Sequence, residues 1–285
     1  MSKSTGHDFS HVPTAVAGFG YVVARPKVLA ALCVIMLAGL GWLYLALILA
    51  GMGSSFGPGA LKALCGTLTN GSWSAASVAT VGSMWAAMTL AMMLPSAAPM
   101  ILTYAGIADT AARQGKQIVT PAALAGGYIT VWLAFSVVAT LMQFILVKAR
   151  LLDASMASTD ELFPGVIFVA AGLYQFSALK HACLTRCQQP FPFFFANWAT
   201  TPGGVFRLGL RQGLYCLGCC WAMMLVMLAV GVMNVVWMAA LGIIMTIEKM
   251  LTGRRFTHAV GAGLIAVGIG VVLAALVGHW PAPPR

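Results

Sequence analysis

Seven stretches of this chain run almost without charge, at residues 28–52, 76–105, 121–147, 163–179, 208–232, 233–247 and 259–277. Helices apolar on every side need an apolar solvent for their outer faces, so this pattern points to a bilayer. A spanning helix takes about 20 mostly apolar residues, and in lipid only helices and closed barrels satisfy their own backbone. Composition agrees: 60% of residues are hydrophobic, 8% are charged and the mean hydropathy is +0.91. The expected fold class is all-α, a polytopic transmembrane helix bundle of about seven spans. A single membrane domain covers 28–279, between a leader at 1–27 and a short Pro-rich tail at 280–285. The fifth and sixth spans form one long apolar run, divided where Gly231 and Asn234 permit a tight turn; six spans is the alternative. The first apolar stretch is too long for a signal-peptide core and reads as an anchor.

Loop charges set an orientation. Lys3, Arg25 and Lys27 precede the first span, and Arg113 and Lys116 follow the second. Lys180, Arg186, Arg207 and Arg211 lie between the fourth and fifth, and Lys249, Arg254 and Arg255 follow the sixth. The opposite side holds Lys62, Lys148, Arg150 and Arg285, with Asp153, Asp160 and Glu161 among them. By the excess of Lys and Arg on one side, the amino terminus is expected to be cytoplasmic. The net charge of +10 is spread over these segments, where it meets anionic headgroups. No basic stripe or nucleic-acid motif is present, so nucleic acid is excluded as a partner.

Five of the seven cysteines are clustered. Cys216, Cys219 and Cys220 lie near the start of the fifth span, and Cys183 and Cys187 lie just past the fourth. At about 100° per residue, Cys220 sits about 40° and Cys219 about −60° from Cys216, so all three share one arc. Cys183 and Cys187 are spaced i,i+4, close enough to share an ion, and Lys180 joins their face on a continuing helix. On a cytosolic side thiols stay reduced, so a metal site or redox chemistry is expected rather than a structural disulfide. Thiols that merely pack are the alternative, and it suits the isolated Cys33 and Cys65 best.

Soft donors continue from the cluster. Met223 and Met227 extend the arc of the fifth span, and Met84, Met88 and Met92 follow i,i+4 spacing in the second. Thiolates with thioethers select copper(I) over harder ions, although a methionine stripe also serves as ordinary core. Copper(I) is therefore favoured over zinc. Pro95 and Pro99 interrupt the hydrogen-bond ladder of the second span, a simple kink being the favoured outcome and a broken, cavity-lining helix the alternative, with Ser96 helping to satisfy the exposed backbone. Tyr174, Gln175, Lys180, Trp221 and Glu248 are candidates to support the cysteines from behind, since ionisable groups inside spans are rarely idle. Glu248 also reads as a local ion pair with Lys249. His181 adjoins the first cysteine pair but points away from it on a regular helix. The run from Pro190 to Phe195 reads as an aromatic flap at headgroup level.

Met92-Met93-Leu94-Pro95-Ser96, Tyr174-Gln175, Leu179-Lys180, Cys183, Cys187, Gly213, Cys216, Gly218-Cys219-Cys220-Trp221 and Glu248-Lys249 together carry a resemblance. The chain resembles a bacterial family of predicted metal-binding integral membrane proteins of unknown function. The resemblance implies a polytopic membrane protein with a metal site, and no particular substrate or reaction. The expected function is soft-metal binding for transport, delivery or homeostasis, with the bilayer, the metal ion and a metallochaperone or membrane-complex partner as partners. A membrane thiol-disulfide oxidoreductase, from the CxxC spacing of Cys216 and Cys219, and a non-catalytic assembly subunit are the alternatives. No hydrolytic triad, paired catalytic carboxylates, nucleotide loop or HExxH motif appears.

Overall fold

The computed structural model describes residues 26–53, 75–115, 119–149, 162–230 and 235–277. The described residues are helical with no strand: α1 (Pro26–Gly53), α2 (Ala75–Arg113), α3 (Pro121–Lys148), α4 (Leu162–Tyr174), α5 (Ala178–Gln188), α6 (Pro190–Ala196), α7 (Pro202–Val230), α8 (Val235–Met250) and α9 (Arg254–Val277). Nearly all of the leader, the tail, Cys65 and the turn at Gly231 and Asn234 lie outside them.

Helices α1, α2, α3, α7 and α9 are each long and apolar enough to cross a membrane. Their outward faces carry stripes such as Leu133, Val137, Leu141 and Ile145 on α3, all exposed at i,i+4 spacing. Two differences separate this from seven spans. Helix α8 has 16 residues, about 24 Å of helix against about 30 Å of hydrocarbon. The stretch expected to run straight through 163–179 instead breaks after Tyr174, and α4 and α5 meet at a 65° bend. The break has a local cause. Gln175, Phe176 and Ser177 close i→i−3 turns onto Gly172, Leu173 and Tyr174, and the Ser177 side chain then caps α5 by accepting from the Lys180 amide. Counted as one broken span, α4 and α5 bring the total to six.

The second span takes the simpler of its two alternatives: α2 continues through Pro95 and Pro99 for 39 residues without breaking. Ser96 does not serve the carbonyl that Pro95 frees; its hydroxyl donates to Met93 O at 2.8 Å. Buried polar groups join α2 to α3, with Trp85 Nε1 donating to Gln143 Oε1 at 2.6 Å and Thr89 bonded to Ser136 at 3.1 Å, where no water competes.

Helices α4 and α9 pack through glycines seven residues apart on each. A Cβ on Gly165 would lie 3.0 Å from Gly268 O, and one on Gly172 would lie 2.8 Å from Gly261 O. Between helices long and apolar enough to cross a membrane, close backbone contact of this kind is a main source of association. By contrast, Gly263 on α9 has nothing within 4 Å of an added Cβ. Alanine substitutions should therefore act with opposite signs. Gly268→Ala is expected to lower thermal stability in detergent by about 1–3 kcal/mol of overpacking. Gly263→Ala should leave it unchanged or raise it by about 0.5–1 kcal/mol. Equal effects at the two positions would contradict the glycine contact.

Candidate metal centre

The site is assembled where α3 and α7 touch. A Cβ on Gly127 would overlap the Phe206 carbonyl oxygen, and one on Gly209 would overlap that of Leu124. With the backbones this close, the side chain after Gly127 reaches across the interface. The Tyr128 hydroxyl lies 3.0 Å from Cys216 Sγ and 3.2 Å from Met93 O. Helix α5 packs on α7 from another side, and α8 approaches with its carboxyl-terminal turn.

Cys216, Cys219 and Cys220 are buried, and their sulfurs lie within 4.8 Å of one another. Cys219 Sγ is 3.3 Å from Cys220 Sγ and 4.0 Å from Cys187 Sγ on α5. Two thiolates bound to one ion at about 2.3 Å stand about 3.8 Å apart in a tetrahedral arrangement, 4.0 Å in a trigonal one and 4.6 Å in a linear one. The observed 3.3 and 4.0 Å lie on either side of the tetrahedral value and reach the trigonal one, so the donor set fits a thiophilic ion with little movement. Cys219 Sγ also contacts Cys216 O at 3.1 Å.

Cys183 stands apart from this group. It is half-exposed, and its sulfur rests against Gly218, where an added Cβ would lie 2.6 Å from it. The arc expected for α7 therefore holds, and the α5 pair divides: Cys187 joins the three buried thiols while Cys183 lies beside them toward the surface.

Charge reaches the cluster from α8. Lys249 Nζ lies 3.0 Å from Cys216 Sγ and 2.6 Å from Ser96 Oγ, so a thiolate at Cys216 has a cation in contact. Its sequence neighbour Glu248 faces elsewhere, because adjacent helix positions point about 100° apart. Glu248 is not paired with Lys249; its Oε2 takes Lys180 Nζ at 2.8 Å, and the two side chains are 2% and 0% exposed. Gln188 Nε2 donates to the carbonyls of Glu248 and Leu251 at 2.8 and 2.7 Å. The end of α8 is thus tied to α5 on one side and to the thiol cluster on the other.

The remaining sequence candidates fall around α7. The Tyr174 hydroxyl donates to Gly218 O, and its ring meets Trp221 edge-on at 5.0 Å. Gln175 Nε2 contacts Met223 Sδ at 3.0 Å. Met223, Met227, Met84, Met88 and Met92 are all buried in the same core as the cysteines. Beyond the other cysteines, polar contacts to the Cys216 sulfur come from Tyr128, which the sequence did not single out, and from Lys249, which it offered only as a loop charge and a partner for Glu248. A faint signal existed for each: a tyrosine after paired glycines in an apolar span, and a lysine ending an apolar helix. The aromatic segment is only partly a flap, since Phe191 and Phe195 are exposed while Phe193 and Phe194 pack inside on Tyr215 and Tyr104.

A family model described as PpoB2, copper chaperone, matches residues 82–271. The match takes in α3 to α8 with most of α2 and α9, and every cysteine of the cluster; the chain belongs to this family. No curated protein and no solved structure matches the chain.

The buried Lys180–Glu248 pair makes a stability prediction. Removing one partner leaves an uncompensated buried charge and is expected to cost about 3–5 kcal/mol, whereas exchanging both for apolar residues of similar size is much less harmful. Thermal unfolding in detergent should therefore place Lys180→Met and Glu248→Leu each well below the parent and the double variant close to it. A double variant as damaged as the sum of the singles would show that the two charges do not act as a pair.

Proposed function

We propose that this member of the PpoB2 copper chaperone family is a membrane-embedded carrier that holds one copper(I) ion at Cys216, Cys219 and Cys220, with Cys187 as a further donor, and passes it on. What carries the reading is the convergence of four cysteine sulfurs with one lysine ammonium. Thiolate donors favour copper(I) among the ions available to a cell. One copper(I) with two thiolates carries a single negative charge, and the Lys249 contact at 3.0 Å from Cys216 balances it. A buried site of zero net charge avoids the desolvation cost of an unpaired ion in an apolar bundle.

The exposed arginines Arg186, Arg207, Arg211, Arg254 and Arg255 belong to the same end of the bundle as the cysteines. By the positive-inside rule this end faces the cytoplasm of a bacterial inner membrane. The half-exposed Cys183 and Cys187 lie on the outer side of the three buried thiols, so a metallochaperone or a partner in a membrane complex exchanges copper through them. Exchange proceeds by replacing one sulfur at a time, so the ion is never bare. Met223 and Met227, with Met84, Met88 and Met92, supply thioethers for a soft-ligand route deeper into the bundle.

Metal analysis of the purified protein from copper- and zinc-supplemented cells tests this. The parent is expected to hold about one equivalent of copper, and Cys216→Ser/Cys220→Ser under a tenth of that, because two of the thiolate donors are gone. Zinc bound in place of copper would replace the carrier reading with a structural site. Less than about half an equivalent of any metal, unchanged in the double variant, would sink the metal reading altogether.

A further inference from the structure

A second set of metal-binding side chains lies outside the thiol cluster. On α5, His181 turns away from the cysteines, as a regular helix requires, and faces α9. There its Nε2 lies 3.2 Å from the Nε2 of His258. The two rings meet edge-on, with centroids 5.2 Å apart and planes at 72°. They come from helices far apart in sequence, so only the fold brings them together. Phe176, in the break between α4 and α5, packs on the His258 ring at 5.0 Å, and the Ser177 cap fixes the start of the helix that carries His181. The His258 ring is thus held by a neighbour other than His181, and the backbone that carries His181 is fixed by the cap.

The separation is informative. Two imidazole nitrogens bound to one tetrahedral ion at about 2.0–2.1 Å stand about 3.3 Å apart. The observed 3.2 Å matches that bite, so an ion can be seated without moving either helix. A neutral histidine that keeps its proton on Nδ1 leaves the Nε2 lone pair free, and imidazole is a good ligand for copper. His181 is 9% exposed and His258 is half-buried, so such an ion is shielded on one side and open to an incoming ligand on the other.

We propose that His181 and His258 form a second copper(I) site, separate from the cysteines. Two protein ligands leave coordination positions open for water or for a donor from a carrier. The pair brings no negative charge, and Arg254 and Lys180 act on His181 from nearby, so an ion there is held more weakly than at a thiolate cluster. A weak open site beside a tight closed one is the arrangement that lets an ion arrive and move on. The site itself stands on the histidine geometry alone; only its place ahead of the thiols on copper's route rests on the carrier reading.

Anaerobic titration of the reduced, full-length protein with copper(I) against a coloured copper(I) chelator tests it. The parent is expected to take up two equivalents, one tight and one weaker. Cys216→Ser/Cys220→Ser should lose the tight equivalent only, and His181→Gln/His258→Gln the weaker one only. Glutamine keeps a hydrogen-bonding amide at each position, so a simple contact between helices would survive the exchange with the copper count unchanged, and that result overturns the proposal. X-ray absorption of the parent needs no variant: going from one to two equivalents should add nitrogen scatterers at about 2.0 Å. A second equivalent bound only by sulfur, or saturation at one, overturns the second site and leaves the thiol site standing. A parent protein that binds the weaker equivalent and no tight one would count against the carrier reading instead.

Discussion

Lys249 reaches the Cys216 sulfur at 3.0 Å and the Ser96 hydroxyl at 2.6 Å, a cation held among apolar helices by polar groups from two other elements. Helix α2 provides Ser96 and α7 provides Cys216, whose sulfur also meets the Tyr128 hydroxyl from α3. The Tyr128 contact depends on the close approach of the α3 and α7 backbones, which Gly127 and Gly209 allow and a larger side chain at either position would prevent. The glycines that look like generic helix packing thus let one of the polar groups reach the cluster. In a medium with no water to substitute, each such contact is one the chain has to supply itself.

The same end of α8 resolves a second problem of charge. Glu248 and Lys249 are adjacent, and as neighbours in water they would form a loose surface pair worth little. Inside the bundle the helix directs them apart, one to Lys180 and the other to Cys216. Lys180 and Glu248 cancel, and Lys249 is left as the net positive charge that faces sulfur. Helix α8 is short for a spanning helix, and its position follows from these polar ties together with Gln188 on the carbonyls of Glu248 and Leu251.

Much of this was legible in the sequence, for reasons that differ by element. The all-helical class followed from apolar runs that have no other stable form in lipid, and the sulfur arc followed from helical periodicity, which depends on nothing outside α7. The break after Tyr174 was not legible, because residues 163–179 carry no charge and read as one span, and the turn depends on the Ser177 cap. At Pro95 and Pro99 the sequence left a kink and a break both open, because prolines weaken a helix locally; α2 runs through both while packed on α1 and α3. The α5 thiol pair divided because spacing says that two side chains share a face and not which of them lies nearer a third helix. Tyr128, Lys249 and the pairing of His181 with His258 are contacts between distant segments, which periodicity within one helix does not reach.

The charge balance at Cys216 bears on how a carrier releases what it binds. On the proposed reading, the loaded site holds one copper(I), two thiolates and the Lys249 ammonium, and its net charge is zero. When the ion leaves, one of those thiolates takes a proton, and the remaining thiolate stays paired with Lys249, so the empty site is neutral as well. Uptake of a copper ion is then an exchange for one proton, as binding to a protonated ligand requires, and neither state leaves an unpaired charge in the bundle. A fixed lysine favours this balance over one in which all the thiols ionise, since further thiolates would add negative charge with no cation in contact to offset it. That places a limit on how tightly the ion is gripped, and for a protein that hands copper on, a limit of that kind is part of the function.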